Sequence, residues 1–178
     1  IFLPLMGPLC RLVERLIPEK QIDETKHLTY FDVRMLDTPS IGIVQSHKQV
    51  LFMAESVEKM TGWLGEVLTS KKQLDELEHK IFHYEKIMDN VQKEVVVFLS
   101  HMISGQISHD VMDEARRQMR IVDEYETLSD YIANVLKGLI KIRNNQMKLS
   151  EEGREELTNL HKLASEYICL INEAERTE

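Results

Sequence analysis

From residue 43 to residue 174 the apolar residues recur every three or four positions, with almost nothing to interrupt them. Ile43, His47, Val50, Ala54, Val57, Thr61, Leu64 and Leu68 keep a 4-3-4-3 step, which places them on one face of a helix. Met53, Met60 and Val67 widen that face. A second row runs Leu74, Leu77, Ile81, Glu85, Met88, Gln92, Val95, Leu99 and Met102. A third runs Ala115, Met119, Val122, Glu126, Ser129, Ala133, Leu136 and Ile140, with Tyr125, Leu128, Ile132, Val135, Leu139 and Ile142 beside it. A fourth takes in Leu157, Leu160, Ala164, Ile168, Ile171 and Ala174. Such a chain has few choices: it folds as long helices packed on one another.

The breaks fall where a bundle needs them. Thr69-Ser70 and Ser104-Gly105 end the first two rows, and Ser108 can cap the third helix. Asp37-Thr38-Pro39-Ser40 is a helix-start signal, with Ser40 able to cap the turn that follows. Ser150 with Glu152, Glu155 and Glu156 opens the fourth helix, where early acids suit the helix dipole. The predicted helices are 41–69, 71–103, 108–147 and 150–175. Only 7 glycines and 4 prolines occur in 178 residues. Aromatic residues are 6%, too few for an all-β domain. The fold predicted is an all-α antiparallel bundle of about four long helices over residues 41–178.

Residues 1–20 differ. Ile1 to Cys10 is an apolar run, and Leu12, Val13, Leu16 and Ile17 continue an apolar face past Arg11, Glu14 and Arg15. The run is shorter than the ~20 residues that cross a bilayer. It reads as the end of a transmembrane helix, with Arg11, Arg15 and Lys20 on the cytoplasmic side, or as an amphipathic lead-in helix. Residues 21–40 form a connector.

A net charge of -8 disfavours a nucleic-acid partner, which needs a basic face. Cys10 and Cys169 form no CxxC, so neither a disulfide framework nor a cysteine zinc site is expected. Cys169, beside Tyr167 and Ile168, reads as core. No GxGxxG, GxxxxGK[ST], HExxH or GxSxG stands in the sequence. His79 and His83, four apart, read as solvated surface. His47 lies on the inner face of the first helix, where it could join an acid cluster.

Two carboxylate pairs are the chemical lead: Glu85-x-x-x-Asp89 and Glu126-x-x-x-Asp130. Residues four apart share a helix face, so each pair offers two oxygen ligands from one turn. Glu126 stands inside an apolar row, where a lone carboxylate is costly. Both pairs lie near mid-helix, and an antiparallel hairpin would bring them to one height. Oxygen ligands suit magnesium, manganese, calcium or iron, and zinc where His joins. The competing reading is a solvated flank in which Glu85 and Asp89 pair with Lys86 or Lys93. A ferritin-like di-metal oxidase needs inward Glu-x-x-His motifs; Glu76-x-x-His79 faces outward.

Three segments carry a family resemblance. They are Tyr30-Phe31-Asp32-Val33-Arg34-Met35-Leu36-Asp37-Thr38-Pro39-Ser40-Ile41 with Val50-Leu51-Phe52-Met53-Ala54; Tyr84-Glu85-Lys86-Ile87-Met88-Asp89 with Gln92-Lys93-Glu94-Val95; and Glu126-Thr127-Leu128-Ser129-Asp130-Tyr131-Ile132-Ala133-Asn134. In order and spacing they resemble the carboxy-terminal PhoU-like domain of bacterial sodium–phosphate cotransporter family proteins. The resemblance implies a non-catalytic regulatory bundle on the cytoplasmic side of the cell inner membrane. Its partner would be the transmembrane transporter domain of the same polypeptide, and a homodimer is a further partner to test. It also implies an iron, zinc or manganese cluster on Glu85, Asp89, Glu126 and Asp130. Gln49 stands where the family often has Glu, and Ser129 and Tyr131 replace a Gly and a His. The alternatives are a free-standing PhoU-like regulator of an ABC phosphate importer and a carboxylate-bridged di-metal oxidase.

Overall fold

The computed structural model describes residues 38–70 and 74–177, all within one compact unit, Phe31–Glu178. The lead-in over 1–20 and most of the 21–40 connector lie outside the described residues.

Four α-helices follow one another: α1 Pro39–Thr69, α2 Asp75–Ile103, α3 His109–Asn144 and α4 Glu151–Thr177. Among the described residues there is no strand. The predicted bounds hold to within four residues, because the breaks are chemical. Helix α1 starts two residues earlier than predicted. Thr38, not Ser40, is the N-cap residue, and Pro39 occupies the first turn, where its fixed φ suits the helix and its missing N–H is not needed. Ser108 is the N-cap residue of α3, but its side chain makes no cap hydrogen bond. Ser150 does cap: the Gly153 N–H donates to its Oγ at 3.0 Å. Gln146 takes a positive φ of 56° in the turn that leads from α3 to α4.

Helices α1, α2 and α3 pack mutually and α4 packs on α1. The α1–α2 pair is antiparallel. The outer end of α2 closes on Gly42, where an added Cβ would lie 3.0 Å from Met102 and 3.1 Å from Phe98. At the other end Trp63 meets Tyr84 edge to face, ring centres 5.0 Å apart. Helices α2 and α3 are antiparallel too, tied by Gln92 Nε2 donating to Asp123 at 2.6 Å and by Arg143 forking onto Glu78 at 2.5 and 2.9 Å. The core between these three helices is apolar. Met53, Val57 and Met60 from α1, Ile81, Met88 and Leu99 from α2, and Val122 and Leu136 from α3 are fully buried. Fully burying each such side chain favours the fold by about 1.5–3 kcal/mol.

Helix α4 departs from its predicted face. Leu160 and Ile171, predicted inside, are exposed, and so are Ala164 and Ala174. Its buried residues are Ile168, Asn172 and Glu175. Cys169, predicted as core, is exposed, and Val135 of α3 is exposed as well. The cause is the polar seam described next, which turns the polar side of α4 toward α1 and α3.

Candidate functional site

Asp89 and Glu126 come from the facing helices α2 and α3. The hairpin brings them near enough that Asp89 acts on the charge of Glu126. Burial, then the neighbouring Asp130, Asp89 and Asp123, push the Glu126 carboxyl above the usual carboxylate range, while Lys93 opposes this. Lys93 donates to Asp89 at 2.7 Å, the pairing that the solvated-flank reading expected. Glu85 and Glu126 are half-buried and Asp130 is exposed. Burial also raises Glu94, one turn from Asn90 on the same helix. Glu126, Asp89, Asp130 and Asp123 form a partly covered acidic seam with Lys93 at its edge. Among the described residues no group of three or more His, Cys, Asp or Glu side chains lies close enough to hold a metal ion. As placed, the four carboxylates therefore do not make a ligand set, and the metal expectation rests on the family resemblance.

His79 and His83 are exposed, as predicted. His47 does join an acid, though not one of the predicted four: its Nδ1 lies 3.6 Å from Glu175. That contact belongs to a denser polar assembly where α4 crosses α1 and α3. Asn172 is fully buried. Its Oδ1 accepts from the Tyr125 hydroxyl at 2.9 Å. Its Nδ2 donates to the Ala54 carbonyl at 2.8 Å and to Glu58 at 3.3 Å. Glu175, also buried, accepts from Arg117 Nη1 at 3.3 and 3.2 Å. Arg117 in turn holds Glu114 at 2.8 Å. Gln118 Nε2 donates to Glu114 at 2.6 Å, and Ser46 donates to the Gln118 side-chain oxygen.

The electrostatics follow from the contacts. Arg117 lowers Glu114, against a smaller effect of burial. Arg176, 2.8 Å away, and Asn172 lower Glu58. Burial, reinforced by the charge of Glu175, pushes Tyr125 up to about 12. Tyr125 thus stays a neutral donor across the physiological range. Among the described residues no buried side-chain N or O atom lacks a hydrogen-bond partner. A satisfied network of this kind specifies geometry, because moving α4 along its axis would strand several buried groups at once.

Pattern reading missed Asn172 and Glu175 because it selects apolar residues. The signal available was their spacing of four and seven from Ile168, on the row that also holds Leu157 and His161. The same row meets α1 at two further points. His161 Nε2 donates to the Thr61 carbonyl at 2.9 Å, and its ring lies over Gly65, where an added Cβ would stand 2.7 Å from it. Arg154 Nη1 donates to the Leu68 carbonyl at 3.1 Å.

A cleft of about 570 Å³ opens where α1 and α3 end and α4 begins, lined among others by Glu78, Arg143, Lys148, Glu151 and Arg154. Its charges are mixed: Arg143 is engaged by Glu78, and Glu151, Lys148 and Arg154 share the lining.

Comparison with known proteins gives one informative likeness. The chain is 26% identical over 164 residues to YjbB of Salmonella typhimurium strain LT2, a protein named for inorganic phosphate export. The alignment takes in 90% of this chain and 29% of the relative. The chain thus spans under a third of the length of the curated relative it matches. No protein-family model matches the chain, and no solved structure does.

Proposed function

We propose that this bundle is a regulatory domain of a phosphate-transporting membrane protein. The observation that carries the reading is the alignment of nearly the whole chain with a minor part of a protein named for phosphate export. A helical bundle occupying that share of a longer transporter fits a domain attached to the transport machinery. Among the described residues no helix is long and apolar enough to cross a membrane, so in this reading transport belongs to other parts of the polypeptide.

Finer points belong to the same proposal. The domain is PhoU-like, sits on the cytoplasmic face of the inner membrane and acts without a catalytic step of its own. Its partner is the transmembrane part of the same polypeptide, which moves phosphate with sodium. Helix α4 is the element that transmits state, since polar contacts hold it to α1 and α3 and can exchange with other polar partners.

The test is phosphate flux in vesicles carrying the full transporter, with Asn172→Leu and Glu175→Leu loosening α4. The reading expects flux to continue with an altered dependence on phosphate supply. An unchanged dependence, with α4 shown to be loosened by hydrogen exchange, contradicts it.

A further inference from the structure

The turn from α3 to α4 shapes the cleft at that end of the bundle. Gln146 takes its positive φ of 56°. Its N–H donates to the Arg143 carbonyl at 2.9 Å, and the Met147 N–H donates to the Ile142 carbonyl at 3.1 Å. This paired closure is the left-handed way to end a helix, and it folds Met147 and Lys148 back over the end of α3. Arg154, in the first turn of α4, donates to the Leu68 carbonyl at 3.1 Å and so pins the start of α4 to the end of α1. The cleft between them holds about 570 Å³, within the range of roughly 300–1,000 Å³ usual for small-molecule sites.

The floor of the cleft is apolar and incompletely covered. Val67, Leu139, Ile142 and Leu157 line it half-buried, and Met147 is 54% exposed. Covering such side chains is favourable in proportion to the apolar area taken from water. The polar members leave one charge over. Arg143 and Glu78 pair with each other. Lys148 and Arg154 have no carboxylate in ion-pair reach among the described residues, and Glu151 is the one other acid of the lining. Two cations against one carboxylate leave a charge of +1, in a chain whose net charge is -8. A monoanion balances that; a phosphate monoester, nearly a dianion, exceeds it. Among the described residues no aromatic side chain lines the cleft, so a nucleobase finds nothing to stack on.

We propose that this cleft binds a fatty acid, its carboxylate held by Lys148 and Arg154 and its acyl chain laid on Val67, Leu139, Ile142, Met147 and Leu157. The Arg154 guanidinium keeps donors beyond the one given to Leu68, and its planar fork matches the two oxygens of a carboxylate. Lys148 adds a compact charge from the turn. The bound molecule joins the end of α3 to the first turns of α4, and so steadies the start of that helix.

The test is calorimetric titration of the chain with sodium decanoate below its micellar range, beside acetate, decanol and decyl phosphate. Decanoate should bind once per chain, about fivefold or more tighter than each of the other three. Lys148→Gln removes a cation that has no ion-pair partner among the described residues. It should weaken decanoate about fivefold, the scale of a solvent-exposed charge pair, and leave decanol as it was. Met147→Glu, at an exposed position, sets a like charge near the head group and should weaken decanoate about tenfold. Melting temperatures should stay put in both variants. Leu163→Glu with Leu170→Glu, at exposed positions of α4 outside the cleft, should leave binding unchanged. No binding of decanoate overturns the proposal. So does binding indifferent to Lys148→Gln and Met147→Glu, binding lost with the α4 pair, or decyl phosphate that binds tighter than decanoate.

Discussion

Asn172→Ala is the perturbation that most sharply separates a polar attachment of α4 from an apolar one. The side chain is fully buried and makes hydrogen bonds to the Tyr125 hydroxyl, the Ala54 carbonyl and Glu58. Each of the two shorter bonds is worth about 0.5–1.5 kcal/mol net, and the stranded Tyr125 hydroxyl adds about 1–3 kcal/mol. The Ala54 carbonyl keeps its place in the α1 ladder, so its loss sits at the low end. The expected cost is about 2–4 kcal/mol, or roughly 6–12 °C in melting temperature for a domain of this size. Tyr125→Phe changes little volume but strands Asn172 Oδ1, at a cost of about 1–2 kcal/mol. Both single changes break the same bond, so the double variant should be less destabilised than the sum by about 1–2 kcal/mol. Urea unfolding of the four proteins measures this. Hydrogen exchange should show lost protection in α4 ahead of α1, α2 and α3. Additivity within about 0.3 kcal/mol would refute the reasoning, because it would mean that Tyr125 and Asn172 do not share a bond.

Other perturbations address the remaining features. The Glu126 carboxyl is raised in the fold, so its charged form is disfavoured there relative to the unfolded chain. Its contribution to stability therefore improves as pH falls from above its folded value toward the ordinary 4.5 and is level below that. Glu126→Gln should stabilise the bundle near neutral pH, with the gain vanishing in melts below about pH 4.5; a gain that grows on acidification would contradict this. Gly62 has open space at its Cβ position, so Gly62→Ala should stabilise α1 by about 1 kcal/mol. Gly65→Ala meets the His161 ring and should lose most of that gain, as paired thermal melts would show. If the acidic seam rearranges to bind metal, elemental analysis of protein loaded with iron, zinc or manganese should find bound ion, and Glu126→Ala with Asp130→Ala should remove it. No retained metal under any loading would end that expectation.

The bundle was legible from sequence because its signals are redundant. Thr69-Ser70 and Ser104-Gly105 stop helices whose apolar rows agree over many turns, and three of those rows do line the core. The facing of Asp89 and Glu126 was legible for the same reason: two mid-helix positions in an antiparallel hairpin share a height. The attachment of α4 was not. Its apolar row is the stronger one, yet the inward side is set by Asn172 and Glu175. These residues have value only when Tyr125, Ala54, His47 and Arg117 stand opposite them, and no local pattern encodes partners on two other helices. Cys169 was misplaced for that reason; it sits on the α1 side of α4, beside half-buried Glu58 at 3.9 Å.

The central claim is that the bundle modulates phosphate transport and does not itself move phosphate. Its most direct test is labelled-phosphate flux in membrane vesicles carrying the full polypeptide, with and without residues 38–177. The account predicts that transport persists without the bundle and loses its dependence on phosphate supply. Loss of all flux, with the remaining protein still folded in the membrane, would contradict it, and so would flux whose dependence on supply is unchanged.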